Sequence, residues 1–528
     1  MLHKNPIFIR FCRSELRPKK AFFWYLLVLI STAFAVAVTY APQVAQGREA
    51  MAAARNALLP VMIIQGIILL FMGTGSIASG ITREKVDNVL NYQRLTPLPT
   101  RDKIIGYLFG LPVRHYVMFA ITLPFLAFVL IVGRIPPSAF VPYYLVFFTS
   151  TLLYHFTGLV AGMISRKWRW SARISQGLIF LLYFVLPQLS HIGLVFLEFL
   201  TVRPVFAEKI IPVIGSNANI SIQGMGFMAG QSVPLFTLTL SGTLFSFIIQ
   251  AGLVVLFAGI VARKWKADSI PAISKKMALI TFAAFSIMSL ANIWPNLTRA
   301  ESALNIFQSN GDLGAEIAVV LLPLIMALVT TYLAFVLMTS ALPDPMQFRH
   351  GRIRAMRLGH DKLNLWEDAA GGYPFIAVLL FIQVIFFGVV IFTLNQAGYY
   401  ADIELNPLQG LWLLLGTALT LFYFQALKEN FGTGMLAMFV LVSWAVPILL
   451  AVVIFAVNQD QWPLALAVTG FSPIALIPFS VFQMAPVDEL QDNLIHLQRA
   501  LGVALLTMTG LNVWLHLRLR KLRKALPI

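Results

Sequence analysis

The chain has 528 residues, of which 59% are hydrophobic and only 12% charged, and its formal net charge is +17. Soluble domains are about 45–50% apolar and about 25% charged, so this composition excludes an ordinary soluble protein and predicts a polytopic membrane protein. The single cysteine, Cys12, excludes an intramolecular disulfide and a cysteine-based metal cluster.

Long apolar runs recur along the whole chain, and a membrane helix needs about 20 such residues. The run after residue 21 is too long for the apolar part of a cleavable signal, so it is interpreted as the first span. Twelve helical spans are predicted, at residues 22–40, 57–79, 105–133, 140–164, 176–200, 235–261, 277–294, 317–342, 374–394, 409–427, 433–457 and 498–517.

Basic residues are distributed very unequally among the predicted loops. Twelve spans place both termini on one side, and the segments on that side carry 31 of the 39 Lys and Arg residues, against 7 on the other. Cytoplasmic loops are the ones enriched in Lys and Arg, so both termini are predicted to be cytoplasmic. Because the charge is spread over seven short segments, a nucleic-acid partner is not expected.

The two halves of the chain resemble each other. The fifth and eleventh spans carry Pro187 and Pro447 at similar positions, broken apolar segments follow at 201–233 and 458–497, and basic clusters end the sixth and twelfth spans. Six spans per half predict two parallel repeats. The predicted domains are a first half (1–266), a cytoplasmic linker (267–276) and a second half (277–528).

Groups that could power or catalyse a reaction are scarce in the sequence. There is no G-x-x-x-x-G-K-[ST] motif and no Gly-Lys pair, so no phosphate-binding loop is expected. No catalytic residue, bound cofactor or metal site is predicted, and the chain is not expected to be an enzyme. Arg114 and His115 in the third span, with Pro187 and Pro447, are candidates to line a pathway; ordinary helix packing is the alternative interpretation.

The segment 82–104 lies between the second and third predicted spans. "TREKVDNVLNYQR" is typical of an amphipathic helix, with Thr82 as its N-cap and a length of about 20 Å. Pro97 is expected to end this helix, and Thr100 to cap the continuation into the third span. The sequence therefore predicts a short polar helix followed by a stiff turn.

This segment resembles the permease subunits of type-2 ATP-binding-cassette (ABC) exporters. The resemblance rests on Arg83-Glu84, Val89-Leu90, "LTPL" (95–98) and "IIG" (104–106), and on the N-terminal "NPIFIRFCRSELR". The chain departs from the family pattern at Asp87-Asn88, where Gly-Thr is common, and at Tyr107.

The resemblance implies that 82–104 is a coupling helix, which docks on a separate ATPase subunit and relays its closure to the spans. It implies two ATPase subunits as partners, ATP and Mg²⁺ bound by those subunits, contacts with membrane lipids and accessory proteins, and a bacterial cytoplasmic (inner) membrane as the location. The docking residues it implies are Arg83, Glu84, Asp87, Leu90, Arg94, Thr96, Pro97 and Asp102, with Arg352, Arg354 and Arg357 in the second half.

The second-half counterpart, 343–368, keeps the length and place of this segment but not its motif. It is predicted to be a degenerate coupling loop that docks a second ATPase subunit or contacts anionic lipid headgroups. Two other functions stay open at this point. One is a secondary transporter built from two parallel six-span repeats, and the other is a membrane scaffold that transports nothing.

Overall fold

A computed structural model describes residues 2–165, 167–192, 194–215, 233–267, 270–298, 314–360, 363–396, 410–483 and 494–524. The chain forms two compact units, Met1–Asp268 and Ser269–Ile528. The predicted linker 267–276 lies at this boundary, and two of its residues are outside the described ranges.

The first unit is built almost entirely of helices. Its α-helices are α1 (Pro6–Glu15), α2 (Pro18–Ala45), α3 (Ala50–Gly66), α4 (Thr74–Val86), α5 (Val89–Leu95), α6 (Thr100–Gly110), α7 (Val113–Val132), α8 (Pro137–Ile164), α9 (Trp168–Phe184), α10 (Arg203–Lys209), α11 (Ile211–Ile214) and α12 (Gly242–Lys266). Its other elements are a π-helix (Ile67–Gly73), 3₁₀ turns at Leu2–Lys4, Leu186–Ile192 and Val195–Leu200, and the strands β1 (Val233–Leu235) and β2 (Leu238–Leu240).

The second unit is helical wherever it has regular structure within the described residues. Its α-helices are α13 (Lys275–Thr298), α14 (Gly314–Ala341), α15 (Pro345–Arg357), α16 (Tyr373–Gln396), α17 (Gly410–Val457), α18 (Trp462–Thr469), α19 (Leu476–Phe482) and α20 (Leu494–Lys524). A kink at Gly432, whose φ of 68° only glycine adopts freely, divides α17 into two parts.

Eleven helices in the described ranges are long and apolar enough to span a membrane. A twelfth span is possible if Gln459–Thr469 and Pro473–Phe482, which meet at 97°, form one broken crossing. Many large apolar side chains on these helices stay exposed, as lipid-facing surfaces require. The protein is thus an all-α integral membrane protein, as the sequence predicts, whereas the parallel repeat and the cytoplasmic termini stay predictions.

Two predicted spans are interrupted near prolines. The third, 105–133, is interrupted after α6, because Pro112 lacks the N–H that a continuous helix would need. The fifth, 176–200, is replaced by α9 and two 3₁₀ turns, and Pro187 lies in the first of these turns instead of mid-span. Proline again explains the break, since it disfavours helix at the preceding residue.

The sixth span begins later than predicted. Residues 233–240 form a two-stranded antiparallel hairpin that pairs Val233 with Leu240 and Leu235 with Leu238. α12 starts only after Ser241, whose side chain accepts a hydrogen bond from the Leu244 N–H at 3.4 Å. The alternating Leu and Thr residues before Ser241 favour strand over helix, which explains why hydropathy alone placed the span too early.

The second span is longer than predicted and runs without a break from Ala50 to Val86. It consists of α3, the π-helix and α4, so the polar residues from Thr82 onwards belong to its last turn. The Thr82 hydroxyl donates to the carbonyls of Ala78 (2.8 Å) and Gly162 (3.0 Å) inside the bundle. The prediction that Thr82 caps a new helix is therefore wrong.

α4 packs tightly against α8 through two glycines one helical turn apart, Gly158 and Gly162. A Cβ at Gly162 would stand 1.9 Å from the Ile81 side chain and 2.7 Å from the Ala78 carbonyl. Small residues at this spacing let membrane helices approach each other closely. This contact fixes the helix end from which the α5 segment departs.

Gly162→Ala is expected to destabilise the protein by about 1–3 kcal/mol, because a backbone carbonyl cannot move aside as a side chain would. Gly177→Ala is the matched control: it lies in a helix with nothing within 4 Å of the added Cβ, and it is expected to stabilise by about 0.5–1 kcal/mol. Thermal unfolding of the detergent-solubilised protein measures both. Equal unfolding temperatures for the two variants would contradict the close α4–α8 contact.

Candidate functional site

The predicted coupling segment contains a helix of only seven residues, α5. Asp87 and Asn88 separate it from α4, and Asn88 has a positive φ of 59°, a conformation that asparagine tolerates better than most residues. At 1.5 Å per residue, α5 is about 10 Å long, half of the predicted 20 Å. The helix-then-proline order is as predicted, but the helix is shorter because the chain turns sharply at Asn88.

α5 has apolar side chains on two sides, one packed against the rest of the unit and one exposed. Leu90 is 2% exposed and packs in a cluster that includes Ile81, Tyr107 and Trp265. Tyr92 and Leu95, by contrast, are 70% and 84% exposed. Such exposed large apolar side chains on a polar segment are typical of a protein-binding surface.

Arg94 fixes α5 to the end of α12. Its guanidinium donates to the carbonyls of Lys264 and Trp265, both at 3.0 Å, and to the Asn91 side chain at 2.6 Å. The last carbonyls of a helix lack partners within the helix and carry its negative dipole end, so a guanidinium stabilises them well. Arg94 therefore connects the short helix to a membrane span.

Glu84, in the last turn of α4, joins three helices. Its carboxylate accepts hydrogen bonds from Arg10 of α1 and from the Tyr107 hydroxyl of α6. The Tyr107 ring lies between Phe11 and Trp265, at centroid distances of 5.3 and 5.1 Å. Burial, followed by the nearby Glu84 carboxylate, raises the pKa of Tyr107, so its hydroxyl remains a donor to Glu84.

Side chains of α1 pack closely against the glycine backbone of α6. Asn5 caps α1 by accepting from the N–H groups of Ile7 (3.0 Å) and Phe8 (3.3 Å), and it donates to the Asp102 carbonyl at 2.7 Å. At Gly106, an added Cβ would come within 2.8 Å of Ile7. The N-terminal helix is thus part of the same rigid junction.

Hydrogen bonds from a buried lysine and from Thr96 stabilise the proline-containing turn between α5 and α6. Lys103 is only 4% exposed, and its ammonium donates to the Thr96 carbonyl at 3.0 Å. The Thr96 hydroxyl donates to the Gln93 carbonyl at 2.7 Å. Thr100 is the first residue of α6, whose N-cap is Pro99, so the predicted capping by Thr100 is wrong.

The structure divides the predicted docking residues of the first unit into two groups. Four are exposed around α5: Arg83, Asp87, Pro97 and Asp102. The Arg83–Asp87 ion pair, at 3.9 Å and well exposed, contributes little to stability. Glu84, Leu90, Arg94 and Thr96 instead bond or pack within the unit, which makes them positioning residues for any docking surface.

Several residues of this junction were not predicted as site residues from the sequence: Asn5, Arg10, Lys103, Tyr107 and Trp265. Some of their partners lie far away along the chain: 74 residues separate Arg10 from Glu84, and 97 separate Asn5 from Asp102. The only sequence signal was that 5–17 matches the amphipathic opening helix of the resembled family. That signal predicts a helix, but it does not predict which residues the helix contacts.

The second unit holds its segment 343–368 with different residues. α15 is preceded by Asp344, which forms a 2.6 Å ion pair with Lys428 and whose N–H donates to Gln347 at 2.9 Å. Arg354 and Arg357 are exposed, whereas the Arg352 guanidinium donates to the Arg523 carbonyl at 2.9 Å. Residues 361–362 lie outside the described ranges.

The chain after α15 is clamped by a buried lysine. Lys275, 1% exposed, donates to the carbonyls of Glu367 and Ala370, both at 2.8 Å, and makes longer contacts with two neighbouring carbonyls. Glu429 accepts from the Gly372 N–H at 2.7 Å and pairs with Arg523. Both units therefore anchor their polar segments to helix ends, but they use different chemistry.

The candidate pathway residues lie in three different elements, two in the first unit and one in the second. Arg114 and His115 lie in the first turn of α7. Arg114 stands 5.9 Å from the Trp24 ring, and His115 is 2% exposed. Pro187 is buried in its 3₁₀ turn, and Pro447 lies inside the last part of α17. A lined pathway through these four residues stays a prediction.

A second histidine stabilises the π-helix in the second span. His155 of α8 contacts the Leu69 carbonyl through Nε2 at 3.2 Å and the Tyr116 hydroxyl through Nδ1 at 3.1 Å. A π-helical turn disturbs the regular bonding of backbone carbonyls, so His155 supplies a donor to Leu69 and accepts from Tyr116. This histidine is engaged in helix packing.

No group of three or more metal-ligating side chains occurs among the described residues. No protein-family model, curated protein or solved structure matches the chain. The fold and the two anchored polar segments define a multi-pass helical membrane protein whose architecture is compatible with a transporter.

Proposed function

We propose that the chain is the membrane permease of an ABC exporter, in which two six-span halves are fused. In this proposal it moves its substrate out across a bacterial cytoplasmic membrane, with both termini in the cytoplasm. The 31-to-7 distribution of basic residues supports that orientation. The chain itself binds no cofactor and catalyses no reaction; two separate ATPase subunits bind ATP and Mg²⁺.

The way α5 is held carries this proposal. Arg94 ties α5 to the end of α12, and Leu90 packs it into the junction. α4, the helix before it, is bound to the end of α8 by Thr82 and by Lys85, whose ammonium donates to the Met163 carbonyl. A push on α5 would therefore reach the ends of three spans at once.

The exposed face of α5 is suited to receive such a push. Tyr92 and Leu95 offer apolar contact area, and the exposed Val86 lies just before them. Arg83, Asp87 and Arg101, on the segments just before and after α5, are exposed and carry charges of both signs. An apolar centre with a polar rim is the usual composition of a protein interface. We propose an ATPase as the binding partner because the sequence contains no phosphate-binding loop of its own.

The second unit offers a different face to the second ATPase subunit. On and next to α15, Met346 is 74% and Leu358 is 63% exposed, and Arg354 and Arg357 add positive charge. The first surface is mixed in charge, whereas this one is basic. We therefore expect the two ATPase subunits to bind with unequal affinity.

Co-expression tests the proposal directly. The tagged full-length chain would be purified together with a stand-alone P-loop ATPase encoded by a neighbouring gene. We expect a stable complex, with two ATPase copies per chain by native mass spectrometry. ATP-dependent uptake of the substrate into inverted vesicles, which corresponds to export from the cell, should then stop when the catalytic glutamate of the ATPase is replaced by glutamine.

Export that persists with the inactive ATPase, and stops when the proton gradient is dissipated at constant ATP, would contradict the proposal. That result would favour a secondary transporter. A chain that binds no ATPase and moves no substrate under either condition would favour the membrane scaffold.

A further inference from the structure

A basic cleft of about 680 Å³ opens on the second unit where α15, α16 and α20 meet. Its lining combines the basic side chains of Arg352, Arg520, Arg523 and His516 with the apolar side chains of Val513 and Leu517. Arg352 is a predicted docking residue and Arg523 helps to hold the segment after α15, whereas Arg520, His516, Val513 and Leu517 have no part in the proposed coupling function. The cleft therefore needs a separate explanation.

The positive charge in the cleft is only partly neutralised. Arg523 pairs with Glu429, whereas Arg520 is exposed and forms no ion pair among the described residues. The Arg523 Nε–H is buried and has no hydrogen-bond partner within that same part of the chain. Arg352 spends one N–H on the Arg523 carbonyl and retains further donors. The cleft thus offers several guanidinium donors to an anion.

The order of residues along α20 distinguishes between kinds of anion. Val513 and Leu517 are each 53% exposed and precede Arg520 on this span-length helix. From Val513 to Arg520 is seven residues, or about 10 Å. Apolar side chains therefore extend from the basic group towards the membrane interior. Tyr373, at the start of α16, also lines the cleft, and tyrosine is enriched at membrane interfaces.

We propose that this cleft binds the phosphate of an anionic phospholipid, with one acyl chain along Val513 and Leu517. The guanidinium groups of Arg352, Arg520 and Arg523 hold the phosphate, since guanidinium donors match phosphate oxygens in geometry. Basic pockets between membrane helices are suited to such headgroups. The site does not depend on the proposed ATPase partners, and it gives Arg352 a role other than docking.

Native mass spectrometry of the delipidated full-length chain tests the site. Phosphatidylglycerol, phosphatidylcholine, glycerol phosphate and inorganic phosphate would each be titrated. We expect tight binding of phosphatidylglycerol alone. Replacing Arg352 and Arg520 together by glutamine should weaken it about 30-fold, at roughly 5-fold or more for each charge lost. Lys521→Gln, an exposed neighbour that does not line the cleft, should change it less than 2-fold.

Arg523→Gln supplies a second test for the case in which the double variant does not fold, and Val513→Asp and Leu517→Asp probe the acyl-chain wall. Equal binding of phosphatidylcholine and phosphatidylglycerol, or equal effects of the cleft variants and Lys521→Gln, would overturn the proposal. Binding of inorganic phosphate or glycerol phosphate as tight as that of the lipid would also overturn it, because the site would then serve a soluble phosphate compound.

Discussion

Replacing Tyr92 and Leu95 together by alanine is expected to weaken ATPase binding at least 100-fold without unfolding the chain. Both side chains are largely exposed, so their removal leaves no cavity in the unit. Central aromatic and apolar anchors in an interface cost about 2 kcal/mol or more each when truncated, and 1.4 kcal/mol corresponds to a factor of ten. Titration of the purified ATPase against the detergent-solubilised variant measures the loss.

Leu238→Ala is the matched control for this pair. Leu238 is 69% exposed, but it lies in β2, just before the start of α12, whereas α5 is attached to the end of that helix. This variant should bind the ATPase as tightly as the unmodified chain. If the Tyr92 and Leu95 variant binds equally well, then α5 is not the docking surface, even if a complex forms elsewhere.

Glu84→Ala is expected to destabilise the first unit by about 2–3 kcal/mol. The side chain is 16% exposed and accepts from both Arg10 and Tyr107, so alanine leaves two partners without their acceptor. Because this junction joins α1, α4 and α6, we also expect faster proteolysis in α1. Thermal unfolding and limited trypsin digestion measure these two effects.

Two further variants, Asp87→Asn and Tyr107→Phe, show whether the loss of stability comes from the buried contacts of Glu84. Asp87 is an exposed carboxylate three residues further along, and its replacement should change stability by no more than about 0.5 kcal/mol. Tyr107→Phe removes one donor and leaves the Arg10–Glu84 pair, so a loss of about 1 kcal/mol is expected. A Glu84→Ala protein as stable as Asp87→Asn would show that the junction is unimportant.

The sequence predicted the helical membrane class and the number of spans well. Hydropathy reflects the free energy of transferring a run of side chains from water into lipid. Most spans of this chain can be located from that quantity alone. The segment after the second span was also predicted to contain a short helix followed by a proline turn. These features depend on residues that are close together in the chain.

The interior contacts of the candidate site could not be predicted from the sequence. Leu90 and Arg94 look like members of an exposed amphipathic helix, yet one packs inward and the other binds the carbonyls of α12. The reversal at Asn88 rotates α5 relative to α4, so a single helical period across 82–94 assigns its faces incorrectly. The pairing of Arg10 with Glu84 depends on tertiary packing and has no local signal.

The π-helix Ile67–Gly73 also determines where the second span can lose a residue. A π-helical turn accommodates one residue more than an α-helical turn, so deletion of one residue there can leave both flanking helices in their present orientation. A one-residue deletion elsewhere between Ala50 and Val86 would rotate the following part by about 100° and carry the α4 face away from Gly158 and Gly162. Single-codon deletions in the gene should therefore be tolerated at this turn and rejected along the rest of the span.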